Sequence, residues 1–223
     1  MAKSTVFDLI GPVMVGPSSS HTAGAVRLGA MALKILGTEP LEAEITLHGS
    51  FAETGKGHGT NLALVAGILG MHTDDERIPQ AVQLAEKKEV KVRFKCENLG
   101  EVHPNTVKFR LTGGDGKVVE VIGSSIGGGR IVINRINEFQ VEFMGDYYTL
   151  VLLHQDLPGV VAQVTSLLAT AQINIAQMHV SREKKGAQAL TIVEADQAIE
   201  PAALALMLKL PAVYQALAIE PLE

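Results

Sequence analysis

The chemistry-bearing residues of this sequence are concentrated in two short motifs near its N-terminus. The first runs Gly16-Pro17-Ser18-Ser19-Ser20-His21-Thr22 and directly precedes a predicted helix. Free backbone N–H groups at a helix start, with serine hydroxyls beside them, favour a carboxylate or a phosphate. The His21 imidazole adds a group that can exchange a proton. An ordinary helix cap is the alternative, but a cap needs only one such side chain, so the motif indicates an anion site.

The second motif, Lys56-Gly57-His58-Gly59-Thr60, also precedes a predicted helix. Glycines on both sides of His58 let the backbone approach a ligand closely and predict that the imidazole sits in an exposed turn. The glycine spacing before the lysine is not that of a P-loop. The alternative is a flexible turn with an incidental histidine.

Two further motifs carry weaker signals. In His103-Pro104-Asn105, the proline favours an extended conformation for His103. The glycine-rich stretch 124–130 ends at Arg130, which could pair with a carboxylate, although a plain strand connection is an equal alternative.

The pattern of apolar residues predicts a mixed α/β fold that positions these motifs. A helix over 26–36 ends near Gly37, and a second helix covers 61–69. Alternating residues predict strands at 44–48, 90–96, 106–112, 118–122 and 131–136.

The pattern changes at 143–148, where we expect a domain boundary. The second segment predicts strand, helix, strand, strand, helix and strand, at 148–154, 160–169, 173–181, 187–194, 202–209 and 213–219. The last stretch either closes the sheet or extends the preceding helix. The repeated β-α-β unit predicts a ferredoxin-like sandwich.

Composition excludes several classes of protein. The formal net charge is −5 and there is no basic stripe, which argues against nucleic acid as a partner. The N-terminus lacks the apolar stretch of a signal peptide, and no apolar run is long enough to cross a membrane, so we expect a cytoplasmic protein. Cys96 is the single cysteine and cannot form an internal disulfide or hold a cluster by itself, so we expect no metal site on this chain.

Three strings together resemble the β subunit of the bacterial iron–sulfur L-serine dehydratases: Gly16 to Thr22, then Gly49-Ser50 through Thr54 to Thr60, then His103-Pro104-Asn105. The resemblance covers the whole chain. It implies a lyase that converts L-serine to pyruvate and ammonia with a [4Fe-4S] cluster held by an α subunit. The chain would be inactive alone, and iron would act as a Lewis acid while a base removes the α proton.

The resemblance also implies roles for individual residues. His58 becomes the candidate base or a residue that aligns the base, with His21 as the second catalytic candidate. The resemblance assigns substrate binding to the remaining motif residues, which would bind the carboxylate or complete the α-subunit pocket. They are Ser18, Ser19, Ser20, Thr22, Lys56, His103 and Asn105.

From Tyr148 onward the chain resembles an ACT domain, the small regulatory fold of amino-acid enzymes. This implies domains at 1–145 and 147–223, homodimerisation through the second, and a small amino acid such as L-serine as effector. The implied effector-binding residues are His154, Asp156, Gly159 and Asn174. Asp156 stands where D-3-phosphoglycerate dehydrogenase has Asn, and a carboxylate there favours an ammonium group or a cation.

Two other functions compete with the lyase subunit. One is a non-catalytic, amino-acid-sensing regulatory subunit, which would use the glycine–histidine motifs for regulation alone. The other, a fragment of phosphoglycerate dehydrogenase, is excluded because the sequence has no nucleotide-binding Gly-x-Gly-x-x-Gly motif.

Overall fold

The computed structural model describes residues 13–222. Within this range the chain forms two compact units, 13–134 and 135–222, and the division falls inside a strand. No helix within 13–222 is long and apolar enough to span a bilayer.

The first unit contains four helices and five strands. A π-helical turn, Ser19–Ala23, leads into the first of these elements, which are α1 (Gly24–Leu36), β1 (Pro40–Leu47), α2 (Gly49–His58), α3 (Thr60–Ile68), α4 (Ala81–Lys87), β2 (Lys91–Cys96), β3 (Thr106–Gly113), β4 (Val118–Gly127) and β5 (Arg130–Ile136). These five strands are neighbours in the order β2-β1-β3-β4-β5, and a sixth strand, β6 (Phe139–Phe143), follows β5 in the same sheet. β1 runs parallel to β2 and antiparallel to β3, which is itself antiparallel to β4.

Alternation along the strands gives this sheet one apolar and one polar face. On β3, Val107, Phe109 and Leu111 are buried while Arg110 is exposed, as period-2 alternation requires. α1 packs on the buried face over β3 and β4.

α1 and α3 cross at two glycines. A Cβ on Gly67 would lie 2.1 Å from the Val26 carbonyl oxygen, and one on Gly29 would lie 2.4 Å from the Leu64 carbonyl oxygen. Only hydrogen at these positions lets the two backbones approach so closely.

From Tyr148 onward the second unit has the predicted element order, which confirms the ferredoxin-like sandwich. Its elements are β6 (Phe139–Phe143), β7 (Tyr148–Gln155), α5 (Val160–Thr170), β8 (Ile175–Arg182), β9 (Gln188–Ala195), α6 (Pro201–Met207) and β10 (Val213–Ile219). The strand order β10-β7-β9-β8 is antiparallel throughout. Leu150, Leu168 and Met207 lie at the centre of its core, fully buried. The stretch 213–219 is a strand, which decides between the two alternatives left open for it.

Candidate functional site

His21 lies in the π-helical turn that opens α1. The extended Ser18 is its N-cap: the Ser18 Oγ accepts the His21 backbone N–H at 3.2 Å, and its carbonyl accepts the Thr22 N–H at 2.8 Å. Ser18 is therefore a helix cap, as the alternative interpretation of this motif held. The hydroxyls of Ser19 and Ser20 have no hydrogen-bond partner among the described residues.

His58 is the last residue of α2, not part of a glycine-rich turn. The prediction of an exposed turn around His58 is wrong, because residues 49–58 are helical and the chain turns only at Gly59, with φ +68°. Phe51, which is fully buried, anchors the helix in the core of the unit. This tertiary contact outweighs the low helix propensity of the glycines.

The two histidines lie together. Their ring centroids are 4.9 Å apart with planes inclined by 37°, and the His21 ring also meets the edge of Phe51 at 5.3 Å. The Thr22 hydroxyl is directed at the His58 carbonyl at 3.4 Å, at the long end for a hydrogen bond. Partial burial and the neighbouring His58 both lower the pKa of His21. A state in which both rings are positively charged is therefore disfavoured.

Two residues that were not predicted complete the cluster. His21 Nε2 lies 3.1 Å from Ser50 Oγ and 3.1 Å from Thr54 Oγ1, and His58 Nδ1 lies 3.1 Å from the Thr54 carbonyl oxygen. Ser50, Thr54 and His58 follow one another at intervals of four and therefore line one face of α2. That spacing is visible in the sequence, but it carries meaning only if 49–58 is a helix.

The His103-Pro104-Asn105 loop contacts the start of α2. A Cβ on Gly49, whose φ is +51°, would lie 2.7 Å from the Pro104 carbonyl oxygen. His103 is exposed, and its Nδ1 accepts the Asn105 backbone N–H at 3.1 Å. The hydrogen bonds of this loop are with nearby backbone and with β4, since the Asn105 carbonyl accepts the Ser125 N–H at 3.0 Å. For Lys56 the structure describes the backbone alone, as part of α2.

The predicted effector residues lie in the second unit. His154 is buried, with Nδ1 2.8 Å from the Gln155 carbonyl oxygen and Nε2 2.8 Å from Thr191 Oγ1. Since a carbonyl only accepts, Nδ1 carries the proton and Nε2 accepts from the Thr191 hydroxyl. Both ring nitrogens therefore have protein partners.

Asp156, Gly159 and Asn174 occupy loops of the second unit. Asp156 Oδ2 accepts the Gly186 N–H at 3.0 Å and pairs with Arg182 at 3.3 Å, and these contacts lower the pKa of the carboxyl. The left-handed Gly159 is the N-cap of α5. The Asn174 amide donates to Asp196 at 2.6 Å.

This chain offers no set of ligands for an iron–sulfur cluster. Its single cysteine, Cys96, is exposed. Within residues 13–222 there is no group of three or more His, Cys, Asp or Glu side chains that could hold a metal ion. A cleft of about 370 Å³ beside the start of α2 includes Cys96 among its lining residues but none of the predicted site residues.

Comparison with known proteins places the chain in a family. The serine dehydratase beta chain model matches residues 5–135, and the ACT domain model matches 148–212. The chain therefore belongs to the serine dehydratase beta chain family, with an ACT domain after the family region, which confirms both resemblances seen in the sequence.

Two of the relatives are L-serine dehydratase beta chains. The chain is 44% identical over 215 residues to the probable L-serine dehydratase, beta chain, of Bacillus subtilis, covering 96% of this chain and 97% of that one. It is 44% identical over 185 residues to the L-serine dehydratase, beta chain, of Peptoniphilus asaccharolyticus, covering 82% and 83%. D-3-phosphoglycerate dehydrogenase of Synechocystis is 24% identical over 201 residues, which are 86% of this chain but 35% of that enzyme.

Proposed function

We propose that this chain is the β subunit of an L-serine ammonia-lyase, that it completes an active site carried mainly by an α subunit, and that it is inactive alone. The observation that carries the proposal is the half-exposed His21–His58 pair, with ring centroids 4.9 Å apart. No finding favours the alternative, a non-catalytic amino-acid sensor.

In this proposal His58 removes the α proton of L-serine. Nδ1 of His58 faces a carbonyl oxygen, which only accepts, so Nδ1 holds a proton and the neutral ring has its lone pair at Nε2. Nε2 takes the α proton, the Cβ–O bond breaks, and the proton passes from Nε2 to the departing hydroxide to give water; the resulting enamine tautomerises to an imine, which is hydrolysed to pyruvate and ammonia. Partial burial and the neighbouring His58 lower the pKa of His21, which favours the neutral form of that ring.

The serine motif would hold the substrate carboxylate. Ser18 already caps the helical turn through its Oγ, whereas Ser19 and Ser20 have hydroxyls to offer on the same turn. We assign a supporting part in substrate binding to Thr22, Lys56, His103 and Asn105.

The cluster belongs to the partner in this proposal. The donor groups of this chain do not fit a [4Fe-4S] cluster, because a cluster of this kind takes cysteine thiolates and Cys96 is alone. Activation of the leaving hydroxyl is therefore assigned to the α subunit. A single free thiol also suits a cytoplasmic location.

The open surface around His58 supports a partner at this point. A Cβ placed on Gly57 or on Gly59 would meet nothing within 4 Å. Glycine on both sides of a catalytic candidate lets another backbone come close to the imidazole.

We further propose that residues 147–223 act as a regulatory domain, separate from 1–145, that dimerises and binds a small amino acid. The edge strand β8 supports dimerisation, because it lies at one end of the sheet and exposes Met178 and Val180. Asp156 and Asn174 remain candidate effector ligands together with Gly159 and His154. Sedimentation of the full chain tests this part, and a monomer at micromolar concentration would refute it.

The test of the main proposal is reconstitution. The chain is co-expressed under anaerobic conditions with a cysteine-bearing α-subunit candidate, and pyruvate formation from L-serine is measured. We expect activity from the complex and none from either chain alone. His58→Ala should abolish turnover, whereas His72→Ala, at an exposed histidine in the same unit, should not. If His58→Ala spares turnover and alters only an effector response, the regulatory alternative is correct.

A further inference from the structure

Thr54 is the residue through which the two histidines are connected. It lies on α2, one turn before His58, and neither motif of the sequence singled it out. Its hydroxyl donates to the Ser50 carbonyl at 2.8 Å and lies 3.1 Å from His21 Nε2, while its own carbonyl oxygen lies 3.1 Å from His58 Nδ1.

A threonine hydroxyl bonded to the carbonyl four residues earlier is common in helices and needs no functional reason. Thr165 and Thr170 on α5 make the same bond, to Val161 at 3.0 Å and to Ser166 at 2.9 Å. What sets Thr54 apart is that the remaining lone pairs of its hydroxyl face one imidazole while its carbonyl faces another.

The directions of these hydrogen bonds follow from which atoms can donate. The Ser50 carbonyl only accepts, so the single Thr54 hydroxyl proton is used there. Thr54 Oγ1 is then an acceptor toward His21, so His21 Nε2 carries the proton of that contact, and the Ser50 hydroxyl, also 3.1 Å from Nε2, accepts from the same N–H in this arrangement. On the other side, His58 Nδ1 must carry a proton, because the Thr54 carbonyl cannot donate.

We propose that Thr54 is a positioning residue that holds the two imidazoles in opposite neutral tautomers, Nε2–H in His21 and Nδ1–H in His58. The fixed tautomer leaves Nε2 of His58 as the proton-accepting atom of the pair. The catalytic consequence rests on the proposed lyase function, whereas the tautomers themselves do not.

The direct test is the tautomeric state of both rings in the full chain. Long-range ¹H–¹⁵N spectra of histidine-labelled protein at mildly alkaline pH distinguish the two neutral forms, and the spectra of His21→Gln and His58→Gln give the assignment. We expect Nε2–H for His21 and Nδ1–H for His58. Detection of Nε2–H in His58 would overturn the inference.

Substitution of Thr54 separates its hydroxyl from its carbonyl. Thr54→Val keeps the shape and the backbone carbonyl but loses the hydroxyl, so His21 should become a mixture of tautomers while His58 stays Nδ1–H. Thr54→Ser should restore the single His21 form. Thr170→Val is the matched control, since it removes the same kind of helical bond in the other unit and should change neither ring. An unchanged His21 in Thr54→Val contradicts the assignment.

In the reconstituted complex, Thr54→Val should lower kcat roughly 10-fold with little change in KM, which is less than the roughly 10²- to 10⁴-fold contribution of the base itself because the base is still present. Thr54→Ser should recover most of the loss. The spectra are recorded on this chain without the α subunit. The positioning role of Thr54 and the proposed lyase function can therefore be refuted independently. Correct tautomers in a complex without lyase activity would refute the proposed function alone, and full activity of Thr54→Val would refute the positioning role alone.

Discussion

Glycine at position 57 makes the chain less stable than alanine would, and no contact within this chain requires a glycine there. It lies in the last turn of α2, it is exposed, its φ is not in the left-handed range, and a Cβ there would meet nothing within 4 Å. Alanine at such a position is more favourable than glycine by about 0.5–1 kcal/mol. Gly57→Ala should therefore stabilise the isolated chain.

The expected rise in the melting temperature of the first unit is about 1–4 °C, from the usual dependence for chains of this size. Gly59→Ala gives the opposite sign, because Gly59 has φ +68° and a left-handed alanine costs about 1–2 kcal/mol. Thermal unfolding of the full chain, followed by circular dichroism, measures both.

Gly57→Ala should weaken binding to the α subunit although it stabilises the isolated chain. If the α subunit packs closely over this end of α2, a new methyl group overfills the contact at a cost of about 1–3 kcal/mol. That cost corresponds to a roughly 5- to 150-fold rise in the α-subunit concentration needed for half-maximal pyruvate formation.

Gly114→Ala is the control for this experiment. It adds the same methyl group to open space in the β3–β4 turn of the same unit, at a glycine with ordinary φ. It should leave the titration with the α subunit unchanged. If Gly57→Ala matches the wild-type titration within twofold, the close approach of a partner at His58 is refuted.

Two further predictions concern stability. Gly67→Ala places a methyl group against the Val26 carbonyl, where neither helix backbone can yield, and should destabilise the first unit by on the order of 1–3 kcal/mol or more, measured by urea unfolding. The lowered pKa of His21 means that the unfolded chain binds a proton more readily than the folded chain just below pH 6.5, so stability should fall as the pH drops through this range. His21→Gln should flatten that dependence in the same unfolding experiments.

The sequence predicts the second unit more completely than the first. Its elements are regular, and β7 has a continuous apolar run that is typical of a buried strand, so the order of strands and helices could be predicted before the structure. Two short elements were missed, α4 in the first unit and β6 at the start of the second. α4 has seven residues and β6 has five, too short for periodicity to be decisive.

The error at α2 has a specific cause. Gly49, Gly55 and Gly57 fall within ten residues, a density that argues against a helix on local propensity. Tertiary packing overrides the local helix propensity. The Phe51 side chain is fully buried, and Gly55 is also buried, with Thr60 Cβ 3.3 Å from the position that a Cβ on Gly55 would take. Neither contact can be deduced from local spacing, so Ser50 and Thr54 could not be assigned to the face of His58.

The helical state of 49–58 also changes how the third motif relates to the site. The contacts of Pro104 fall on Gly49, at the opposite end of α2 from His58, so the proline loop meets the helix that carries Ser50, Thr54 and His58. A Cβ at Gly49 would force this loop away and would also strain the left-handed φ of +51°. The glycine is thus required where the loop and the helix meet, whereas Gly57 is dispensable within this chain. Glycine is therefore present at two positions of α2 for different reasons. Gly49 is required by the fold of this chain, whereas in our proposal Gly57 is required by the approach of a partner.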